Sequence, residues 1–413
     1  MPKIAPEQVS ETARESASAG AYPAEIRPLI SLRFIALAWV VLNQFRFHLG
    51  LHAGDRSGLV FKGYLGASLF FVLAGFLAVH LLVTQEAQGR FRYGPFLWTR
   101  LIRTYPLHLV MIAVMAVLMI AGRVSGASLP AGVFDWRGLA ANLALVQAWG
   151  TVPTVSWNFP SWLISAEWFG YIALPVTAWI ALKRLNPILV IAGAIGLFAV
   201  AFEVAAARHV LFTDMTAQIG ALQTVPAFLL GAGLYALGRR WSLPRGWSGF
   251  VAGVAGAWIV AAALLRLNDL FIWPAFGALV FGLAETAKTE KPALTWAPLP
   301  WLGQVAYSIY LVYLPVDIVY FHGVARLIGT PTSALAWAVW AGVFPVILVA
   351  GVAAHQLIAK PAAAWLARHA PFGSSVDRSD LFAARLAAVT QRRVRSSSGC
   401  AAPPERPRRR AAA

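Results

Sequence analysis

From residue 29 to residue 358 the chain repeats one unit, a long apolar run closed by a short polar or basic stretch. A bilayer core takes about 20 residues of helix to cross. That criterion predicts ten spans, at 29–48, 63–84, 104–122, 161–182, 187–206, 218–238, 248–266, 269–286, 301–320 and 335–358. Backbone groups in hydrocarbon must be paired within their own segment, so the expected fold is all-α, a polytopic transmembrane helix bundle. The stretch 139–150 (LAANLALVQAWG) is apolar but too short to cross and is expected to re-enter or lie in the interface. Residues 1–28 contain PEQVSETARESASAG and no apolar core. They do not read as a cleavable signal peptide, so the first span is expected to act as the insertion signal. The expected organisation is a disordered polar segment at 1–28, one membrane domain at 29–362 and a disordered basic tail at 363–413.

Ten spans put both ends on one side, and basic residues choose the side. Loops on the tail side carry Arg90, Arg92, Arg100, Arg103, Lys183, Arg184, Arg239, Arg240, Arg245, Lys288 and Lys291. The opposite loops carry Arg56, Lys62, Arg123, Arg137, Arg208, Arg266 and Arg326, although they are longer in total. The positive-inside rule then places both termini in the cytoplasm.

Composition agrees with this class. The chain is 59% hydrophobic and 12% charged, about half the charged share of a soluble domain. Cys400 is the only cysteine, which excludes an internal disulfide and any thiolate metal centre. The 8 histidines are scattered, and no metal is expected. A net charge of +17 suggests nucleic acid, but its location argues for lipid instead. Much of it sits in the tail, with Arg392, Arg393, Arg395 and the run Arg408, Arg409 and Arg410. A basic tail beside a membrane sets topology and touches anionic lipid.

Ionisable groups inside spans are the candidates for chemistry, because they are expensive there. Arg33 and Gln44 lie eleven residues apart in SLRFIALAWVVLNQF (31–45), and His48 lies one turn further. On a continuous helix the three form a polar stripe, expected to line a cavity. Arg100 and Arg103 are one turn apart at the start of the third predicted span, where their guanidinium forks suit phosphate. Plain topology also accounts for them. Glu167 sits two turns into the fourth span, beside Trp162 and Trp168 in PSWLISAEWFGYIALP (160–175). It must pair with an arginine, protonate or do chemistry. Tyr307, Ser308, Tyr310 and Tyr313 run at helical spacing through LGQVAYSIYLVYLP (302–315), as an aromatic belt or as a polar inner lining.

Five segments resemble, in order, the bacterial integral-membrane acyltransferases called the acyltransferase-3 family. LRFIALAWVVLNQF (32–45) looks like the family's first-span motif, an Arg followed eleven residues later by a His. GASLFFVLAGFL (66–77) is similar to its "GvdlFFvlSGfl" segment, and FLWTRLIRTYPLHL (96–109) to its R-x-x-R-x-Y-P element. NFPSWLISAEWFGYIALP (158–175) and LGQVAYSIYLVYLP (302–315) look like its later Trp–Glu and Tyr–Leu–His motifs. The resemblance covers about residues 28–362. Three positions depart from it. The first-span His falls on Gln44, the late His on Tyr313, and a Glu before the Lys/Arg-Pro pair on Ala359 in IAKPAAAW (358–365).

The resemblance implies a membrane-bound acyltransferase of the bacterial inner membrane. It would move an acyl group from cytoplasmic acyl-CoA, acetyl-CoA first among the donors, to a hydroxyl of an envelope glycan or lipid-linked sugar. Arg100 and Arg103 would hold the coenzyme A phosphates, Arg33 or Gln44 would donate to the oxyanion, and Trp162, Tyr307, Tyr310 and Tyr313 would contact substrate. A glutamine amide takes no proton at neutral pH, which leaves His48 and Glu167 as candidate bases. Two other readings fit part of the pattern: a weakened pseudo-acyltransferase that only binds carrier or glycan, and a transporter or flippase. No repeat relates the two halves of the chain, which speaks against the transporter.

Overall fold

The computed structural model describes residues 22–49, 58–126, 134–207, 216–244, 246–289, 292–328 and 333–371. The segment 1–21 and the basic tail from 372, with Cys400 and the arginine run, lie outside the described residues. Every regular element among the described residues is a helix. We number them α1 (Arg27–Gln44), α2 (Gly66–Ala87), α3 (Tyr93–Val124), α4 (Trp136–Leu143), α5 (Trp162–Ile172), α6 (Leu174–Trp179), α7 (Pro187–Ala207), α8 (Thr216–Arg240), α9 (Trp247–Leu264), α10 (Asp269–Thr286), α11 (Pro298–Ile328), α12 (Ser333–Ala354) and α13 (Lys360–Arg368). Among the described residues nine helices are long and apolar enough to cross a membrane. The α5–α6 pair, bent by 54°, makes a tenth if it counts as one span. All ten predicted spans therefore fall on helices. The chain is an integral membrane protein.

Local chemistry explains several boundaries. Asp135 caps α4 by accepting from the Gly138 amide at 3.1 Å, and Asn268 caps α10 by accepting from the Leu270 amide at 3.0 Å; such caps satisfy otherwise orphaned donors. Pro175 opens α6 where the fourth span bends, because a proline fits the first turn of a helix but not its interior.

The third predicted span begins too late. Helix α3 starts at Tyr93, so Arg100 and Arg103 lie inside it, roughly 10 and 15 Å from its start at 1.5 Å per residue. The aromatic residues Phe96 and Trp98 extend the apolar helix around them, and the Arg100 guanidinium sits 5.2 Å over the Phe96 ring.

Helices α2 and α8 form the middle of the bundle, with 83% and 78% of their apolar windows buried, whereas α7 and α12 run along its rim with 22% and 17%. Between membrane helices close packing replaces the hydrophobic effect as the driving force. Glycines make that contact between α2 and α8. A Cβ on Gly231 would lie 2.2 Å from the Val72 carbonyl oxygen, and one on Gly75 would lie 2.6 Å from the Phe228 backbone. We expect Gly231→Val to force the two helices apart, costing about 1–3 kcal/mol or more. Thermal unfolding in detergent checks this, and an unchanged midpoint would refute the close contact.

Successive spans alternate in direction. Contacts between distant segments agree with that alternation. On the far side, opposite the start of α1, Lys62 Nζ donates to Asp269 Oδ1 at 2.5 Å. On the near side, where α1 begins, Tyr22 donates to Glu285 Oε1 at 2.6 Å and Ser31 to the Leu294 carbonyl at 2.7 Å.

The short stretch after α3 re-enters the bundle from the far side. The Leu143 carbonyl accepts from the Tyr105 hydroxyl at 2.8 Å, and the Asn142 carbonyl accepts from His108 Nε2 at 3.0 Å. Tyr105 lies twelve residues into α3, roughly 18 Å from its near-side start, so the loop tip reaches well into the membrane. Its backbone is held by side chains: Ser161 donates to Asn142 Oδ1 at 2.7 Å, and Ser165 to the Leu145 carbonyl at 2.8 Å. Leu145 itself adopts the left-handed conformation, φ 56°, which a leucine takes only when its surroundings impose it.

Candidate active site

Six segments converge on one narrow cavity toward the near side. Its walls are Arg33 and Leu37 of α1, Phe70 of α2, Arg100, Arg103 and Thr104 of α3, Leu145 of the re-entrant loop, Ile164, Glu167, Trp168 and Tyr171 of α5, and Gly303, Ala306 and Tyr307 of α11. Counting its mouth, it holds ≈ 560 Å³ of space free of atoms. The sequence stages these residues on different spans; the bundle brings them together. Gly303 permits the approach of α11, since a Cβ there would lie 2.0 Å from the Ile30 carbonyl oxygen.

The charges in this cavity do not balance. Glu167 is 6% exposed, and its Oε1 accepts from the Tyr171 hydroxyl at 2.5 Å. It lies within electrostatic reach of Arg33, Arg100 and Arg103. None of the three guanidiniums comes within 4.0 Å of a carboxylate among the described residues. The Nε groups of Arg33 and Arg100 are buried without a hydrogen-bond partner. Three cations thus face one carboxylate, Arg33 and Arg100 partly buried and Arg103 more exposed. Buried charge without compensation costs several kcal/mol per ion. The arrangement is suited to an anion carrying at least two charges, held by charge-assisted bonds.

A second cavity opens toward the far side. It is lined by Val40, Asn43, Gln44, Arg46, Phe47, Phe61, Tyr64, Ala67, Phe159, Trp162 and Thr216, with ≈ 910 Å³ of free space counting its mouth. The walls are braced. Asn43 Nδ2 donates to the Phe61 carbonyl at 2.6 Å, Arg46 Nη1 to Asn43 Oδ1 at 2.9 Å, and Tyr64 to Asp269 Oδ1 at 3.0 Å. The Arg46 guanidinium also lies 3.9 Å over the Phe47 ring. The Gln44 amide makes no hydrogen bond with another described residue.

The two cavities lie end to end. On α1 Leu37 lines the first and Val40 the second; on α2 Phe70 and Ala67, and on α5 Ile164 and Trp162, divide in the same way. Two or three residues separate each pair, about one helical turn or less. One face of α1, from Arg33 through Leu37 and Val40 to Gln44, therefore runs along both.

His48 leaves this face, contrary to the continuous stripe read from the sequence. Helix α1 ends at Gln44 and Phe45–Leu49 winds as a 3₁₀ helix. Three residues per turn rotate His48 onto the line of Phe45 and away from Gln44. Its Nε2 donates to Asp317 Oδ1 at 2.6 Å, and its ring stacks on Phe321 at 3.5 Å. Of the tyrosines on α11, Tyr307 lines the near-side cavity. Tyr310 and Tyr313 are buried and line neither. Trp162 lines the far-side cavity. Sequence reasoning did not single out Tyr171 or Leu145. The i, i+4 spacing of Glu167 and Tyr171 on one helix is a signal that finds the first; nothing in the sequence places the second.

A family model described as "Acyltransferase domain" matches residues 29–355. The chain belongs to the acyltransferase-3 family. It is 28% identical to "Acyltransferase MdmB" of Streptomyces mycarofaciens over 351 residues, 76% of this chain and 84% of that protein. Over 124 residues it is 32% identical to "Protein 2 in picA locus" of Rhizobium radiobacter, 28% of this chain and 64% of that protein. No solved structure matches. The chain is thus a membrane acyltransferase, acting on groups other than aminoacyl groups, and the transporter reading falls away. Each of the five ordered motifs contributes to the near-side cavity, through Arg33, Phe70, Arg100 with Arg103, Glu167 and Tyr307.

Proposed function

We propose that this acyltransferase takes an acyl group from acyl-CoA on the cytoplasmic side of the bacterial inner membrane. It delivers the group to a hydroxyl of an envelope glycan or lipid-linked sugar at the far-side cavity. The observation that supports the donor half is the near-side pocket, where three guanidiniums that form no ion pair among the described residues surround one carboxylate. Phosphate groups match that surplus, and Arg33, Arg100 and Arg103 would hold them. Basic residues support the assignment of sides. Arg27, Arg90, Arg92, Lys183, Arg184, Arg239, Arg240 and Lys288 flank near-side helix ends, as expected of the cytoplasmic face.

The acceptor half rests on the lining of the far-side cavity. Phe47, Phe61, Tyr64, Phe159 and Trp162 offer ring faces, while Asn43, Gln44 and Thr216 offer neutral polar groups. Ring faces with a few placed amides suit a polyhydroxyl ring, which is apolar on its faces and polar at its edge. Gln44, on the wall of this cavity, would donate from Nε2 to the developing oxyanion, a contribution that needs no change of protonation. Acetyl-CoA is the donor to test first.

Mass spectrometry of envelope glycans and lipids from cells with and without the protein tests the reading. An acyl-sized mass difference on a sugar is the expected result. Identical spectra, together with purified protein that releases no thiol from any of a panel of acyl-CoA esters, would overturn it.

A further inference from the structure

Among the described residues that line the far-side cavity there is no base. Among its lining residues Arg46 is a cation, Tyr64 is a phenol donating to Asp269, and Asn43 and Gln44 are amides. None accepts a proton at neutral pH. Glu167 faces the other cavity. A hydroxyl attacking a thioester still needs a group to take its proton.

His48 directly follows Phe47, a wall residue of this cavity, in the 3₁₀ turn that closes the first span. Its side chain is 31% exposed, at the far-side end of the first span. A carboxylate can only accept, so the 2.6 Å contact to Asp317 fixes the proton of the neutral ring on Nε2 and leaves Nδ1 with its lone pair. The ring cannot swing freely. It lies parallel to Phe321, 3° between planes at 3.5 Å, and the Phe45 ring flanks the pair, 5.9 Å from His48 and 6.1 Å from Phe321. Two chain segments 269 residues apart build this arrangement.

A polar track leads to it. Along α11, Tyr307 faces the arginine cavity, and Tyr310, Tyr313 and Asp317 follow at three, three and four residues, which keeps them on one stripe. The hydroxyls of Tyr307, Tyr310 and Tyr313 are buried without a hydrogen-bond partner. Buried hydroxyls in a finished interior are satisfied; three open ones on one stripe suit a polar group that passes along it.

We infer that His48 is the base that activates the acceptor hydroxyl, at the rim of the far-side cavity, and that Asp317 is its positioning residue. The inference rests on the acyltransferase reading above. In the step, the hydroxyl proton passes to His48 Nδ1 and the oxygen bonds to the thioester carbonyl carbon. The carbon–sulfur bond then breaks, and coenzyme A leaves as a thiolate that takes the proton back from the imidazolium. Asp317 stabilises the imidazolium while it exists.

The test uses the full chain, in membrane vesicles of expressing cells given [14C]acetyl-CoA and as purified protein. Three quantities are read: label transferred to endogenous acceptors, thiol released when water replaces the acceptor, and acetyl-CoA binding by tryptophan quenching. His48→Ala should lower transfer and thiol release ~10²–10⁴-fold. Asp317→Asn should lower both ~10–100-fold, Asp317→Glu should restore most of the loss, and the double variant should be no slower than His48→Ala. Acetyl-CoA binding should stay within about twofold throughout, so that the loss falls on kcat.

Wild-type rates in a folded His48→Ala protein would overturn the inference. So would an Asp317→Asn loss that only tracks the fraction of folded protein and is not restored by glutamate. In both cases acetyl-CoA binding would remain and the acyltransferase reading would stand. A wild-type protein that neither binds acetyl-CoA nor releases thiol would bring down the donor reading and, with it, this inference.

Discussion

Arg103→Leu is expected to weaken acyl-CoA binding by about 100-fold or more while raising the melting temperature. The two effects have one origin. Arg33, Arg100 and Arg103 crowd a single carboxylate, and Glu167 bonds to Tyr171 rather than to any of them. Removing one cation relieves the like-charge repulsion among the three guanidiniums. It also removes one or two charge-assisted bonds to the ligand, each worth about 1.5–3 kcal/mol, and every 1.4 kcal/mol is roughly tenfold in affinity. Equilibrium binding of acetyl-CoA and thermal unfolding of the same preparation, in the same detergent, check both signs. A variant that loses binding and stability together would mean that Arg103 is a structural ion-pair member instead.

Glu167→Ala is expected to do the reverse to stability and the same to turnover. The variant leaves three guanidiniums with no counter-charge and deprives the Tyr171 hydroxyl of its acceptor. Removing one partner from a buried charged group typically costs ~3–5 kcal/mol. Acyl transfer should fall below detection. Glu167→Gln keeps an oxygen for Tyr171 but no counter-charge, so it should recover only the share of stability that this contact contributes, and little of the transfer. Unfolding midpoints of the two variants with thiol release from acetyl-CoA decide the matter. Equal stability of the alanine and glutamine variants would show that the Tyr171 contact contributes nothing.

Much of this was legible from hydropathy. Every predicted span coincides with a helix, because a long apolar run has only one way to pair its backbone in lipid. Arg33 and Glu167 were legible for a related reason: charge is rare there, so each instance points inward. What hydropathy could not convey is depth and rotation. The third span looks shorter than α3 because its two arginines resemble a membrane boundary, and only the bundle shows Arg100 packed against Phe96 and Tyr171. His48 was placed on the Gln44 face by assuming 3.6 residues per turn. The tighter winding after Gln44 accompanies tertiary contacts, with the Trp340 indole donating to the Phe45 carbonyl at 2.9 Å, and such contacts leave no local mark. The Lys62–Asp269 pair, 207 residues apart, was invisible for the same reason.

The division between a packed centre and a loose rim bears on how such a chain changes over generations. Positions on α2 and α8 where backbones touch accept almost no larger side chain, so they are held in place. Much of α7, α9 and α12 meets only lipid tails, where one aliphatic residue serves as well as another. Divergence can accumulate around the circumference without disturbing the arginine pocket, and a relative sharing 28% of its residues can retain the same interior.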